Sequence, residues 1–195
     1  VYGTVLSDEL IRRENNVYIV SDTLTKPTKA PYKKIEFNKR KLKDRISHIN
    51  TLVKFIREKD IHVVHAHSRA SSWSCAIACK IAKIPLITTI HGRQPVHLSR
   101  KIIKGFGDYS LSVCENIKEH IVSDLKVKED RITVLRNMIN TKEYRNKFKD
   151  IEKKEKLISI IGRLSGPKGD VTYKLLDILY RRKDFNGKSI FAKYP

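Results

Sequence analysis

A glycine-flanked turn with two basic residues is the part of the sequence best suited to bind phosphate. The apolar run 157–161 leads into Gly162 and Arg163, and Lys168 and Gly169 follow after four further residues. Glycine permits close backbone approaches that a Cβ would block, arginine offers a planar fork of donors, and lysine supplies a compact charge. If a helix begins near Gly169, its free N–H groups would face the same anion. We therefore expect an anion site here, although an ordinary strand-to-helix turn has a similar composition.

Three histidines lie at the ends of predicted strands. His65 and His67 belong to the apolar run 61–67, and His91 follows the run 85–90. In a parallel sheet, ligands bind beyond the carboxyl ends of the strands, so these imidazoles would lie at the edge where a ligand binds. Gly92 would let the chain turn sharply after His91. We expect His91 to contact a ligand, the alternative being a ring that caps a loop.

Neither the histidines nor the cysteines form the pattern of a metal site. His65 and His67 would point to the same side of their strand, but no Asp or Glu lies within the motif. The cysteines lack zinc-ribbon spacing, since Cys75 and Cys79 lie four apart on one face of a predicted helix and Cys114 stands alone. We expect no metal and no cofactor, and we expect buried, unpaired thiols in a reducing compartment.

The hydrophobic pattern alternates between strands and helices through the first two thirds of the chain. Apolar residues spaced by threes and fours predict helices over residues 3–14, 39–59, 71–82 and 115–125. Short apolar runs predict strands over residues 17–20, 32–37, 61–67, 85–90, 108–113 and 131–135. This alternation predicts an α/β, Rossmann-like fold in which a parallel sheet carries helices on both faces.

A polar, charge-rich stretch separates this block from the remaining residues. We predict a Rossmann-like domain over residues 1–140, a linker over 141–155 and the start of a second domain over 156–195. The second domain would begin with a strand at about Leu157 and continue with a helix over 171–182 and a strand over 189–191. Its length of about 40 residues is too small for a complete domain, so we expect it to be incomplete.

The turn at residues 162–169 closely resembles an element of the family 4 retaining glycosyltransferases. It contains Gly162-Arg163-Leu164 and then Lys168-Gly169. In that family the element opens the donor-binding domain of a GT-B fold, which has two facing Rossmann-like domains. The resemblance implies that Arg163 and Lys168 grip the diphosphate of a nucleotide sugar, with the two glycines shaping the turn.

The histidines match the same family in the same order along the chain. His91 and Gly92 match a strand ending in H-G, whose histidine hydrogen-bonds the donor sugar and helps to position the reaction. Residues 63–67 read V-V-H-A-H and match a family strand beside the cleft. The resemblance therefore implies a catalytic role for His91 and a cleft-supporting role for His65, His67 and Gly92.

The sequence departs from the family at the hinge that precedes the second domain. The family usually has P-N-G-V-D there, and this chain keeps Asn137 but has Met138 and Asn140 in place of the Gly and the Asp. We count Asn137 among the cleft-supporting residues. The family's pair of glutamates in the second domain has no counterpart in the sequence.

The charge balance indicates an anionic partner. The chain has 41 Lys and Arg against 21 Asp and Glu, a net charge of +20, although a lysine-rich coding bias would give the same excess. Five cations open the second predicted helix, which could lie on an anionic membrane or simply be solvated: Lys39, Arg40, Lys41, Lys43 and Arg45. No aromatic residue is interleaved with them as a base-stacking platform, so we expect no nucleic acid partner.

These features favour an enzyme. The resemblance implies transfer of a sugar from a nucleotide-diphosphate donor, with retention at the anomeric carbon. The acceptor would be a glycan or a lipid-linked molecule that belongs to the cell envelope or to a polysaccharide. A non-catalytic partner subunit and a basic nucleic-acid-binding module are the alternatives. No apolar run approaches the ~18 residues of a membrane span, and no secretory leader is visible. We expect a cytoplasmic protein that can lie at the inner face of the membrane.

Overall fold

A computed structural model describes residues 2–38, 41–94, 105–137, 157–162 and 188–193, and the chain divides into two compact units, residues 1–138 and 139–195. The helices of the first unit are α1 (Tyr2–Arg12), α2 (Leu42–Glu58), α3 (Arg69–Ala82) and α4 (Glu115–Ser123). Its strands are β1 (Ile19–Ser21), β2 (Tyr32–Lys34), β3 (Val64–Ala66), β4 (Leu86–Ile90), β5 (Tyr109–Ser112) and β6 (Ile132–Val134). The second unit contains strands β7 (Leu157–Gly162) and β8 (Lys188–Lys193).

Every strand pair in the described residues is parallel. Strands β3, β4, β5 and β6 form one sheet in that order, while β1 pairs with β2 and β7 with β8. Thr88 lies opposite Ala66 and Ser110, so the carboxyl ends of the central strands meet at one edge. The α/β, Rossmann-like class is confirmed, but the one predicted sheet of the first unit is divided between β1–β2 and the four-stranded sheet.

One hydrophobic cluster lies between the helices α2 and α3 and the strands β3 and β4. Leu52 and Ile56 of α2 pack with Cys75 and Cys79 of α3 and with Leu86 of β4. The prediction that the two cysteines share a buried helix face is confirmed. Burial raises the pKa of both thiols to about 12, with Cys79 adding to the shift of Cys75. Both are free thiols and stay protonated at neutral pH.

A second hydrophobic cluster packs α4 against the other half of the sheet. Ile117 and Ile121 of α4 contact a cluster that contains Ile132 of β6, Ile90 of β4 and Phe106 of the segment before β5. Ile90 is the last residue of β4, so this cluster fixes the point at which the chain leaves the strand toward His91. Packing of α4 thereby positions the edge of the sheet.

Two of the predicted elements are shorter in the structure because a helix cap occupies their ends. The chain leaves α2 through Asp60, whose φ is +47°, and the Ile61 N–H donates to the Ile56 carbonyl at 3.0 Å. This is the hydrogen-bond pattern of a Schellman cap, with Asp60 at the left-handed position. Residues 61–63 therefore belong to the cap and its exit, so β3 begins at Val64, and α2 ends at Glu58.

A tight turn before β5 aligns it with β4. The Asp108 N–H donates to the Leu86 carbonyl at 2.8 Å, and the Leu86 N–H donates to the Asp108 carboxylate at 2.8 Å. Gly107, just before, has a φ of +66°. A Cβ on Gly107 would run into the carbonyl oxygen of Leu86, so this position requires glycine.

Candidate functional site

Three histidine rings form a row at the carboxyl edge of the four-stranded sheet. His65 lies opposite Ile87, and His67 follows the last residue of β3. The ring centroids of His65 and His67 are 4.1 Å apart, and those of His67 and His91 are 5.9 Å apart. The prediction that His65 and His67 point to the same side is confirmed, and His91 joins them because β3 and β4 are adjacent parallel strands.

The inner end of the row is fastened to β4. Nε2 of His65 lies 2.7 Å from Oγ1 of Thr89, a residue that is only 8% exposed. Depending on the tautomer of the imidazole, the hydroxyl donates to this nitrogen or accepts from it. Either arrangement fixes the ring plane of His65, against which His67 then stacks.

Desolvation lowers the pKa of all three imidazoles and so favours their neutral form. Desolvation lowers the pKa of His67 to about 4, and the neighbouring His65 and His91 add to the shift. Desolvation also lowers the pKa of His65 and of the more exposed His91. A neutral imidazole carries one donor and one acceptor, so at neutral pH the row can bind hydroxyl and carbonyl groups without adding charge.

Helix α3 begins directly after the row. Ser68, the residue after His67, accepts a hydrogen bond from the Ser71 N–H at 3.2 Å and serves as the N-cap. Serine is favoured there because its hydroxyl satisfies an N–H group that the first turn leaves unpaired. The cap sets where the strand stops, and it thereby leaves His67 at the junction of strand and helix.

The loop that carries His91 is held at both ends. The Ile90 carbonyl accepts from the Val113 N–H at 3.4 Å, and the backbone of Gln94 contacts the ring of His120 in α4. Sequence reasoning missed His120. The signal that could have found it is a polar residue on the apolar face of α4, between Ile117 and Ile121.

Gly92 lies at a bend of the chain, as we expected from the sequence. Its φ is outside the left-handed region, and a Cβ there would meet no atom of the described residues within 4 Å. Other residues could therefore adopt this bend as well. Its proposed role beside the cleft is a separate prediction.

The remaining predicted site residues lie on other strands or outside the described residues. Asn137 is exposed and follows β6. Gly162 is the last residue of β7 and lies opposite Lys193 of β8. Three of the residues predicted to bind the donor are outside the described part of the chain: Arg163, Lys168 and Gly169.

The basic start of α2 is only partly free to meet a partner. Lys41 and Lys43 are exposed, whereas the Arg45 guanidinium lies 4.6 Å from the centre of the Trp73 ring on α3. A cation over an indole ring is attracted by its π electrons, so Arg45 helps to join the two helices. Lys39 and Arg40 lie outside the described residues.

The described residues contain neither a cluster of metal-binding side chains nor a membrane-spanning helix. In the ranges that the structure describes, no group of three or more His, Cys, Asp or Glu side chains is arranged to hold a metal ion. Among the helices in those same ranges, none has the length and apolar character needed to cross a bilayer.

Solved structures show the same fold at low sequence identity. The crystal structure of a glycosyltransferase from Rickettsia africae aligns with a TM-score of 0.76 at 20% identity, over 98% of this chain and 56% of that one. The lipopolysaccharide outer core galactosyltransferase WaaB in its apo form aligns with a TM-score of 0.68 at 17% identity, over 97% and 54%. Anabaena Alr3699/HepE in complex with UDP gives a TM-score of 0.59 at 15% identity, over 85% and 56%.

The chain thus spans just over half the length of these structures and contains the N-terminal part of their GT-B fold. No curated protein matches its sequence. The family model for Glycosyltransferase Family 4 matches residues 1–143, which is well over half of the chain. That match includes the whole histidine row, and we conclude that the chain belongs to glycosyltransferase family 4.

Proposed function

We propose that the protein transfers a sugar from a nucleotide-diphosphate donor to a glycan or lipid-linked acceptor, with retention at the anomeric carbon. The observation that carries the proposal is the row of three imidazoles at the carboxyl edge of a parallel sheet, in a chain of glycosyltransferase family 4. Anabaena HepE was crystallised with UDP-glucose, which supports a nucleotide-sugar donor. The function of WaaB supports an acceptor in the cell envelope.

His91 is the residue of the row best placed to contact the sugar. It is the most exposed of the three, and the contact with Thr89 of β4 holds His65 in place. A neutral His91 can donate one hydrogen bond to, or accept one from, a sugar hydroxyl, and it thereby orients the anomeric carbon toward the acceptor. His65 and His67 are less exposed, and the ring of His67 lies 5.9 Å from that of His91.

The second unit is proposed to bind the diphosphate. Strands β7 and β8 are parallel, and Gly162 is the residue at the carboxyl end of β7. Gly162 therefore lies at the edge of a parallel pair where phosphates are usually bound. Arg163 and Lys168 would stabilise the negative charge that develops on the departing diphosphate.

Calorimetric titration of the intact protein tests this proposal. Each cation is expected to contribute about 1.5–3 kcal/mol through charge-assisted hydrogen bonds, so Arg163→Ala or Lys168→Ala should weaken nucleoside diphosphate binding roughly 10- to 100-fold. The free nucleoside lacks the phosphates and should bind with unchanged affinity.

The matched control for these variants is Arg131→Ala, which removes the exposed arginine just before β6. It should leave both affinities unchanged. If Arg163→Ala and Lys168→Ala weakened the binding of nucleoside and of nucleoside diphosphate equally, the two cations would not bind the diphosphate.

We also propose a peripheral contact between the start of α2 and the inner, anionic face of the membrane, which implies a cytoplasmic protein. Two large apolar side chains are exposed there, Leu42 at 70% and Ile46 at 51%, one helical turn apart. Lys41 and Lys43 flank them. An interfacial helix typically inserts apolar side chains into the lipid, while the neighbouring cations contact the headgroups.

Sedimentation with lipid vesicles tests the membrane contact. Binding to anionic vesicles should exceed binding to neutral ones and decrease with salt, at roughly 1 kcal/mol for each engaged cation. The double change of Lys41 and Lys43 to Ala should weaken this binding, and so should Leu42→Gln. Val5→Gln is the control, since it changes an apolar residue of α1 that is 63% exposed, and it should not weaken binding. Equally tight binding to duplex DNA at the same salt would argue against the membrane and for a nucleic acid partner.

A further inference from the structure

A buried histidine fastens the loop that carries His91 to helix α4. His120 is only 7% exposed, and its Nε2 lies 2.9 Å from the carbonyl oxygen and 3.3 Å from the backbone nitrogen of Gln94. Its Nδ1 lies 2.6 Å from a carboxylate oxygen of Asp124. The ring therefore bridges the last turn of α4 and the third residue after His91.

The two contacts of Nε2 are alternatives, because one ring nitrogen either donates or accepts. In the neutral ring, Nδ1–H donates to Asp124 and Nε2 accepts from the Gln94 N–H. In the protonated ring, Nε2–H donates to the Gln94 carbonyl. The hydrogen bond from His120, with smaller contributions from Ser123 and Arg93, lowers the pKa of Asp124, so its carboxylate stays ionised beside the ring. The loop is thus held by the same residue in both states.

The loop between the two attachments is short. Ile90 is fixed by the hydrogen bond between β4 and the Val113 N–H, and Gln94 is fixed by His120. Only His91, Gly92 and Arg93 lie between them. A segment of three residues with both ends fixed retains few backbone conformations, whereas one with a free end samples many. The position of the His91 imidazole therefore depends on the bond at Gln94.

We infer that His120 is a positioning residue for His91, with Asp124 orienting its ring. His120 holds the loop so that the imidazole of His91 stays in the row with His67, and it does not itself contact the sugar. The inference rests on the proposed function in that His91 has to act on the donor. It also has a consequence that is independent of catalysis, since loss of the His120 ring should loosen the loop alone.

Hydrogen exchange of the intact protein measures that consequence. His120→Ala should increase the exchange rates of the amides of residues 92–94 about tenfold or more, while amides of α3 and β5 change by less than about twofold. His120→Gln offers an amide that can reach the Gln94 backbone, and it should restore most of the protection. Glu119→Ala removes the exposed neighbour on α4 and is the matched control.

Two outcomes would overturn the inference: an exchange rate that rises equally throughout the first unit, or one that does not rise at residues 92–94. In either case His120 would contribute only to the overall stability of the fold. Should His120→Ala fail to fold, Asp124→Ala removes only the outer partner of the ring. It should raise exchange at residues 92–94 by a smaller factor, and no local increase would likewise overturn the inference.

Turnover separates this inference from the proposed function. A displaced catalytic group lowers turnover strongly without a matching loss of substrate binding, so His120→Ala should reduce kcat about tenfold or more with little change in KM, and His120→Gln should recover most of it. A local increase in exchange with an unchanged kcat would confirm that His120 holds the loop but contradict the catalytic role of His91. A reduced kcat with unchanged exchange would contradict the inference that His120 holds the loop.

Discussion

Replacing His91 with alanine is expected to lower the turnover of the intact protein by ~10²-fold or more while leaving its thermal stability almost unchanged. The large effect on turnover follows if the imidazole contacts the sugar during transfer, because a hydrogen bond made at the reacting centre is lost. The small effect on stability follows from its position, since His91 is exposed at the end of β4 and contributes little to either hydrophobic cluster.

Initial-rate kinetics and thermal unfolding of the same preparations measure the two quantities. The matched control is His62→Ala, which removes an exposed histidine before β3 whose Nε2 lies 3.6 Å from a carboxylate oxygen of Asp60. It should change neither turnover nor stability. Turnover that His91→Ala leaves unchanged would remove His91 from the site.

The sequence predicted the fold class because the signals are local. Apolar residues recur at helical spacing in α2 and as short runs in β4, so the alternation of helices and strands is visible without knowledge of tertiary contacts. Parallel pairing follows from that alternation. The convergence of His65, His67 and His91 was predictable for the same reason, since parallel strands place their carboxyl ends at one edge.

Helix ends were harder to predict because the expected glycines are absent. After three helices the chain passes through a residue that has left-handed backbone angles but is not glycine: Glu14 after α1, Asp60 after α2 and Lys83 after α3. Each is followed by the hydrogen bond of a Schellman cap, from Asn15 to Leu10, from Ile61 to Ile56 and from Ile84 to Cys79. A charged residue gives no sign in the sequence that it adopts this conformation.

Contacts between distant segments account for the other omissions. The bond between His120 and Gln94 joins residues 26 positions apart, and no spacing rule connects them. The Arg45 contact with Trp73 likewise depends on how α2 lies against α3. Such contacts decide how firmly the site is held, and they become visible only when the fold is known.

The glycines show most clearly that contacts with distant segments cannot be read from the sequence. From the sequence, Gly92 was expected to let the chain turn sharply, because it follows a predicted strand and a candidate catalytic residue. In the structure the chain bends there without a positive φ, and among the four glycines of the first unit the one that cannot be replaced without strain is Gly107. The requirement comes from the Leu86 carbonyl, which belongs to another strand, and the sequence around Gly107 does not reveal that neighbour.

Gly107→Ala is therefore expected to lower the free energy of unfolding by about 3 kcal/mol or more. Alanine at a positive φ costs roughly 1–2 kcal/mol, and relief of the clash between its Cβ and the Leu86 carbonyl has to move β4 or β5, at a further 1–3 kcal/mol. The hydrogen bonds between Asp108 and Leu86 would be strained as well. Urea unfolding, followed by circular dichroism, measures the loss.

Two other glycines of the same unit are matched controls for this variant. At Gly105 a Cβ would lie 3.6 Å from its nearest neighbour, an ordinary contact, and at Gly92 it would meet open space. Neither residue has a positive φ, so Gly105→Ala and Gly92→Ala should leave stability unchanged or raise it by up to about 1 kcal/mol through a less flexible unfolded chain. If Gly107→Ala unfolded at the same urea concentration as these two, the turn before β5 would not hold β4 and β5 in register, and the edge that carries His91 would be fixed by the packing of α3 and α4 alone.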